Sequence, residues 1–145
     1  MKNNGGFTLI ETLIVFSVFL VMTFSSFLLL KPAHHSLVKN LFFSQFKSDL
    51  FFAQQHSIAA QEDVTVHILP EKHYYYIRSR YNGPILLERH YSEEIQIWEG
   101  TLKLYFQYGQ DGNIKNFGSF HIKIDSHVYR MTILIGKGRF YVVEQ

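Results

Sequence analysis

Gly6, Phe7 and Glu11 have the residue types and the spacing to do chemistry. Glu11 is the one charged residue in the apolar run from Phe7 to Leu30. An ionised carboxylate near the interior of a bilayer costs on the order of 3 kcal/mol or more, so such an acid calls for a compensating partner. Breaking the peptide bond after Gly6 would supply one: Phe7 becomes the amino terminus and Glu11 the fifth residue, one helical turn from the new ammonium. The two charges can then pair within one chain or between neighbours, in a medium where an unpaired charge is costly. The alternative is that Glu11, four residues from Phe7, simply reaches the headgroups.

Other residues with chemical potential are weaker. Asp125, Ser126 and His127 are the types of a nucleophilic triad, but consecutive residues on a tight turn diverge and form no relay, so a turn is expected. The chain has eight histidines. His34 and His35 are helical neighbours that point about 100° apart, and His67 with His73 across a turn gives at most two ligands where a metal usually needs three or four. No metal and no cofactor is expected, and no enzyme activity. The stretch from His73 to Tyr81 interleaves tyrosines with Arg78 and Arg80, while Lys137 and Arg139 add charge at a later turn. These four are candidate DNA contacts, against the plainer reading of a strand with packed tyrosines and solvated arginines.

The elements that must position these residues follow from periodicity. Phe7 to Leu30 as a helix is roughly 36 Å long, enough to cross a hydrocarbon core of about 30 Å. Lys2 and the terminal amine precede it, so the positive-inside tendency leaves the carboxy-terminal bulk outside. Residues 31 to 35 do not resemble a secretory cleavage site; the small residues are Gly5 and Gly6, before the apolar run. Pro32 predicts a bend without an end to the helix. From there Leu37, Leu41, Phe42, Phe46, Leu50, Ala53 and Ile58 predict an apolar stripe packed on a sheet, widened by Phe43, Phe51 and Phe52.

Beyond Glu62 the period becomes two. Strands are predicted at 65–69, 74–79, 85–91, 95–98, 102–107, 119–125, 129–135 and 139–143, punctuated by Asn82-Gly83-Pro84, Asp111-Gly112, Ser126-His127 and Gly136-Lys137-Gly138. One long helix followed by a meander of antiparallel hairpins is an α+β arrangement. The expected organisation is a leader at 1–6, a membrane helix at 7–30 and an extracytoplasmic domain at 31–145. A net charge of +2 is too small for bulk attraction to nucleic acid or anionic lipid, and the absence of cysteine excludes disulfides and thiolate chemistry.

The short basic leader ending in Gly6, then Phe7-Thr8-Leu9-Ile10-Glu11 and an apolar helix, resembles the type IV pilin and pseudopilin superfamily. Phe106, Asp111-Gly112, Gly118 and the segment from Met131 to Val142 resemble the closing hairpins of H-type minor pseudopilins, most like those of competence pili. The resemblance implies cleavage between Gly6 and Phe7 by a prepilin peptidase and N-methylation of Phe7. It implies that Glu11 offsets the terminal charge of an adjacent subunit during assembly, and a pilin-like fold. The implied partners are the membrane and the other major and minor pseudopilins of one filament, with DNA reached indirectly through the pilus. The implied function is that of an assembly subunit of a competence pilus serving DNA uptake. The alternatives are an H-type subunit of a type II secretion system, or a membrane-anchored surface module that binds DNA itself.

Overall fold

The structure, a computed structural model, describes residues 8–136 and 138–145, and of 27–35 the helical backbone alone. A single helix, α1, spans Leu9–Ala60 and does not end at Pro32. Eight strands follow: β1 Val64–Leu69, β2 Tyr74–Ser79, β3 Ile85–His90, β4 Ile95–Glu99, β5 Tyr105–Tyr108, β6 Gly118–Ile124, β7 His127–Ile133 and β8 Phe140–Glu144. A one-turn 3-10 helix, Pro70–Lys72, joins β1 to β2. The α+β class read from the sequence holds.

The chain divides into two compact units, Met1–Leu37 and Val38–Gln145. In the first, the segment Leu9–Ser26 has a mean hydropathy of 2.0 and none of it is buried, so by length and composition it can cross a membrane. In the second, one line of α1 faces inward: Phe42, Phe46, Leu50 and Ala53, with Asp49 and Ser57 on the same arc. The predicted stripe was too broad. Leu37, Leu41 and Ile58 are 56%, 61% and 41% exposed, because the sheets cover only the arc centred on Phe46 and Leu50.

The strands do not form the expected meander. They build two four-stranded antiparallel sheets, β3-β2-β1-β5 and β4-β6-β7-β8. β4 leaves for the second sheet, and β5 returns to pair with the free edge of β1, bringing Val66 opposite Phe106. The crossing also explains why the strand predicted from Leu102 begins only at Tyr105. The Leu102 amide donates to Ser119 O in the second sheet, whereas the Leu104 carbonyl accepts from Ile68 N in the first. Alternation reports which face a residue takes but not which strand lies beside it.

Phe46 ties the layers together. Its ring meets Tyr75 of β2 edge-on at 4.9 Å and Phe120 of β6 edge-on at 6.3 Å, so one helical side chain anchors both sheets. Single bridges from Tyr108 to Ile114 and from Ile114 to Gly136 join the sheets again at one end. α1 stops at Ala60 because Gln61 adopts a left-handed φ of 54°. The Gln61 amide donates to Ile58 O and the Glu62 amide to Ser57 O, which satisfies the last carbonyls of the helix.

Candidate functional site

The chemistry anticipated at the amino terminus begins at a helix start. Thr8 caps α1: the Glu11 amide donates to Thr8 Oγ1 at 3.4 Å, and the Thr8 amide donates to Glu11 Oε2 at 3.5 Å. This is a capping box, in which a threonine and the glutamate three residues on each satisfy a backbone donor that the first turn would otherwise leave open. The carboxylate also sits where the helix dipole is positive. The cap directs the Glu11 side chain toward the amino end of the chain. Gly6 and Phe7, the expected processing site, lie outside the described residues. The segment carrying Glu11 presents Leu13, Ile14, Phe16 and Phe19 at 58% exposure or more, an apolar surface with one acid at its end. Hydroxyls within the segment bond back to their own helix, as Ser17 Oγ does to Ile14 O at 2.8 Å and Thr23 Oγ1 to Phe19 O at 2.8 Å, so they leave no unpaired donor in an apolar setting.

Of the four basic candidates, the three described ones fall on two different sheets or their ends. Arg78 stands on the outer face of β2 with its guanidinium over the Tyr76 ring at 5.4 Å. Arg80, at a left-handed φ of 54°, donates through Nη2 to Glu62 Oε1. Arg139 is exposed ahead of β8 in the other sheet, and Lys137 lies outside the described residues. Hydrogen bonds from Arg80 and then from Ser79 hold the Glu62 carboxyl below the ordinary carboxylate range, and Glu62 in turn raises Arg80. The same corner carries an ion pair from Lys115 Nζ to Asp63 Oδ2 at 2.6 Å, so the residues after the helix end fasten α1 to both neighbouring loops.

The remaining chemical candidates have structural uses. Asp125 and Ser126 form the β6–β7 turn, while His127 lies at the start of β7 with Nδ1 2.6 Å from Glu144 Oε1. His67 stacks on Tyr76 and meets Tyr105 at a tilt of 57°, each centroid 4.6 Å away. Burial, and then the charge of Arg78, hold His67 below the usual imidazole range. His73 meets Tyr91 instead of His67. Among the described residues no group of three or more His, Cys, Asp and Glu is placed to hold a metal.

One polar cluster was not anticipated. Asp49, 4% exposed, accepts from Tyr75 Oη at 2.6 Å, from Gln45 Nε2 at 2.9 Å and from Arg89 Nε at 3.4 Å. Burial first, and then the bond to Asp49, push the Tyr75 phenol far above its ordinary range. Nearby Tyr91, its hydroxyl buried without a hydrogen-bond partner among the described residues, is pushed up to about 12 by burial alone. The signal in the sequence was a lone acid at a position in register with Phe42, Phe46 and Ala53, where a solvated face is not expected.

Known proteins resemble this chain at its amino terminus and over nearly its whole length. Residues 1–27 match the family described as the prokaryotic N-terminal methylation motif. The chain is 29% identical over 142 residues to "Competence protein ComGD" of Bacillus subtilis (strain 168), covering 98% of this chain and 95% of that protein. No solved structure matches the chain significantly. The chain thus matches the prokaryotic N-terminal methylation motif at its start and is similar to this competence protein over nearly its whole length.

Proposed function

We propose that this chain is a minor pseudopilin, a structural and assembly subunit of a competence pilus that serves DNA uptake during natural transformation. The observation that carries the reading is a lone carboxylate, capped at the first turn of an exposed apolar helix, inside the segment that matches the prokaryotic N-terminal methylation motif. A prepilin peptidase cuts between Gly6 and Phe7, and Phe7 is N-methylated. The helix holds the subunit in the membrane with its sheet domain outside. It then moves into a filament of other major and minor pseudopilins, where Glu11 meets the ammonium of a neighbour. The near full-length similarity to a competence protein favours this setting over a type II secretion system. The role is structural and not catalytic.

The test is a pair of variants in cells that build the filament. Gly6→Asp is expected to abolish the mobility shift of processing, and Glu11→Val to preserve it while removing the protein from sheared filaments. A normal shift for Gly6→Asp would defeat the proposal.

A further inference from the structure

The two sheets present four edge strands: β3 and β5 in the first, β4 and β8 in the second. An open edge is a row of unpaired amides and carbonyls, and folded proteins guard it with charge, irregularity, shortness or a covering segment. Three of the four edges are guarded. β3 carries Glu88, Arg89 and His90, and its pairing with β2 slips between Ile77 and Arg78. β5 has only four residues, and the chain at Ile114 lies along it, bridging to Tyr108 and donating from Lys115 N to Gln107 O. β4 follows Glu93 and Glu94 and ends in Glu99, and the 3-10 turn lies against it.

β8 has none of these devices. Phe140-Tyr141-Val142-Val143-Glu144 holds no charge before its last residue, and its register with β7 is unbroken. Two bonds fix which way the backbone points: the Leu134 amide donates to Arg139 O, and the Gln145 amide to Val128 O. Bonded pairs alternate along an antiparallel ladder, so Tyr141 and Val143 bond to β7, while the amides and carbonyls of Phe140, Val142 and Glu144 point to the open side. Among the described residues no strand lies on that side. The edge is apolar on both faces. Tyr141 and Val143 are 48% and 52% exposed on the outer one, and on the inner one Phe51 of α1, 55% exposed, rests against Phe140.

We propose that β8 pairs with β8 of a second copy of this chain, antiparallel and centred on Val142, so that the two second sheets become one. The open groups are spaced symmetrically about Val142, which makes this register self-complementary: Phe140 of each copy meets Glu144 of the other, and Val142 meets Val142. A slip of one residue would set open groups against groups already bonded to β7. On the outer face Tyr141 comes opposite Val143 of the second copy, an aromatic beside a β-branched side chain at the closer, non-hydrogen-bonded spacing. The two Glu144 residues stay roughly 14 Å apart, beyond a Debye length at physiological salt. An unrelated strand matches this spacing only by chance, whereas a second copy matches it by symmetry. The pairing uses β8 and not the amino terminus, so a pairing result and a processing result stand or fall separately.

The chain has no cysteine, so an introduced thiol reports on one position alone. Val142→Cys sets two thiols across the symmetry axis with Cα atoms about 5.5 Å apart, within disulfide reach. Phe140→Cys leaves them roughly 14 Å apart, and Tyr141→Cys or Val143→Cys alone roughly 8 Å, but Tyr141→Cys mixed with Val143→Cys brings unlike copies to about 4.5 Å. Mild oxidation of the full-length protein in detergent micelles is expected to give a covalent dimer from Val142→Cys and from that mixture, and monomer from the others. Val142→Pro removes an amide on the open side and none that bonds to β7, so it is expected to weaken dimerisation in sedimentation by about tenfold or more while thermal unfolding stays near that of the unaltered protein. No dimer from a normally melting Val142→Cys overturns the proposal. Equal trapping at Phe140, Tyr141 and Val142 does so too, as parallel stacking or random collision, and so does undiminished dimer in Val142→Pro, as association through the membrane segment.

Discussion

Thr8 and Glu11 cap the first turn of α1 reciprocally, each accepting the other's backbone amide. Glu11 therefore has a local structural use as well as the assembly use proposed for it, and the two can be separated. Glutamine also completes a capping box, so Glu11→Gln keeps the cap and removes the charge. If charge is what a neighbouring subunit meets, Glu11→Gln is lost from sheared filaments as completely as Glu11→Val, while both are processed. Thr8→Val, which costs about 1 kcal/mol at the helix start, leaves the charge in place and is expected to reduce incorporation only mildly. Immunoblots of sheared and membrane fractions read all three.

Asp49 joins α1 to β2 and β3 through Tyr75 and Arg89. Asp49→Ala strands the buried Tyr75 hydroxyl and is expected to destabilise the protein by about 2–3 kcal/mol. Asp49→Asn keeps an acceptor for Tyr75 and is expected to cost about 1 kcal/mol. Thermal unfolding of the detergent-solubilised protein, read by circular dichroism, ranks them.

Acid acts through two groups in sequence. His67 is held below the ordinary imidazole range, so the folded state binds its proton less readily than the unfolded state does. Its contribution to stability is complete above about pH 6.5 and is lost as the pH falls from there through the lowered folded value. Glu62 is also lowered, by Arg80 and Ser79. Its contribution is complete above the ordinary glutamate range and is lost only as the pH falls through its own lowered value. A melting temperature that declines in two stages is expected. His67→Phe should remove the upper stage and leave the lower, as followed by unfolding scans across about pH 7.5 to 3.

Gly138 has a φ of +60°, and a Cβ there would lie 2.6 Å from Tyr108 Cε1, a fully buried ring. Gly138→Ala meets backbone strain and a clash together and is expected to cost about 2–4 kcal/mol. At Gly136, φ is +94° but nothing lies within 4 Å of the added Cβ, so Gly136→Ala carries the strain alone and should cost less. Paired melting curves make the comparison.

These particulars also mark what the sequence could convey. Periodicity found α1 and every strand, and β2 began and ended where expected at Tyr74 and Ser79. It could not reveal that β5 pairs with β1, because Phe106 alternates identically whichever strand lies beside it. It missed Asp49, whose partners Tyr75 and Arg89 are 26 and 40 residues away. It could not foresee that Arg80 would be engaged by Glu62, 18 residues earlier. Local signals such as Thr8 with Glu11 were legible because their geometry is set within one helical turn.

Amino-terminal mass spectrometry of the native protein from filament-competent cells tests the central claim most directly. A chain beginning at N-methylated Phe7 is the predicted result, and a chain that still begins at Met1 would contradict it.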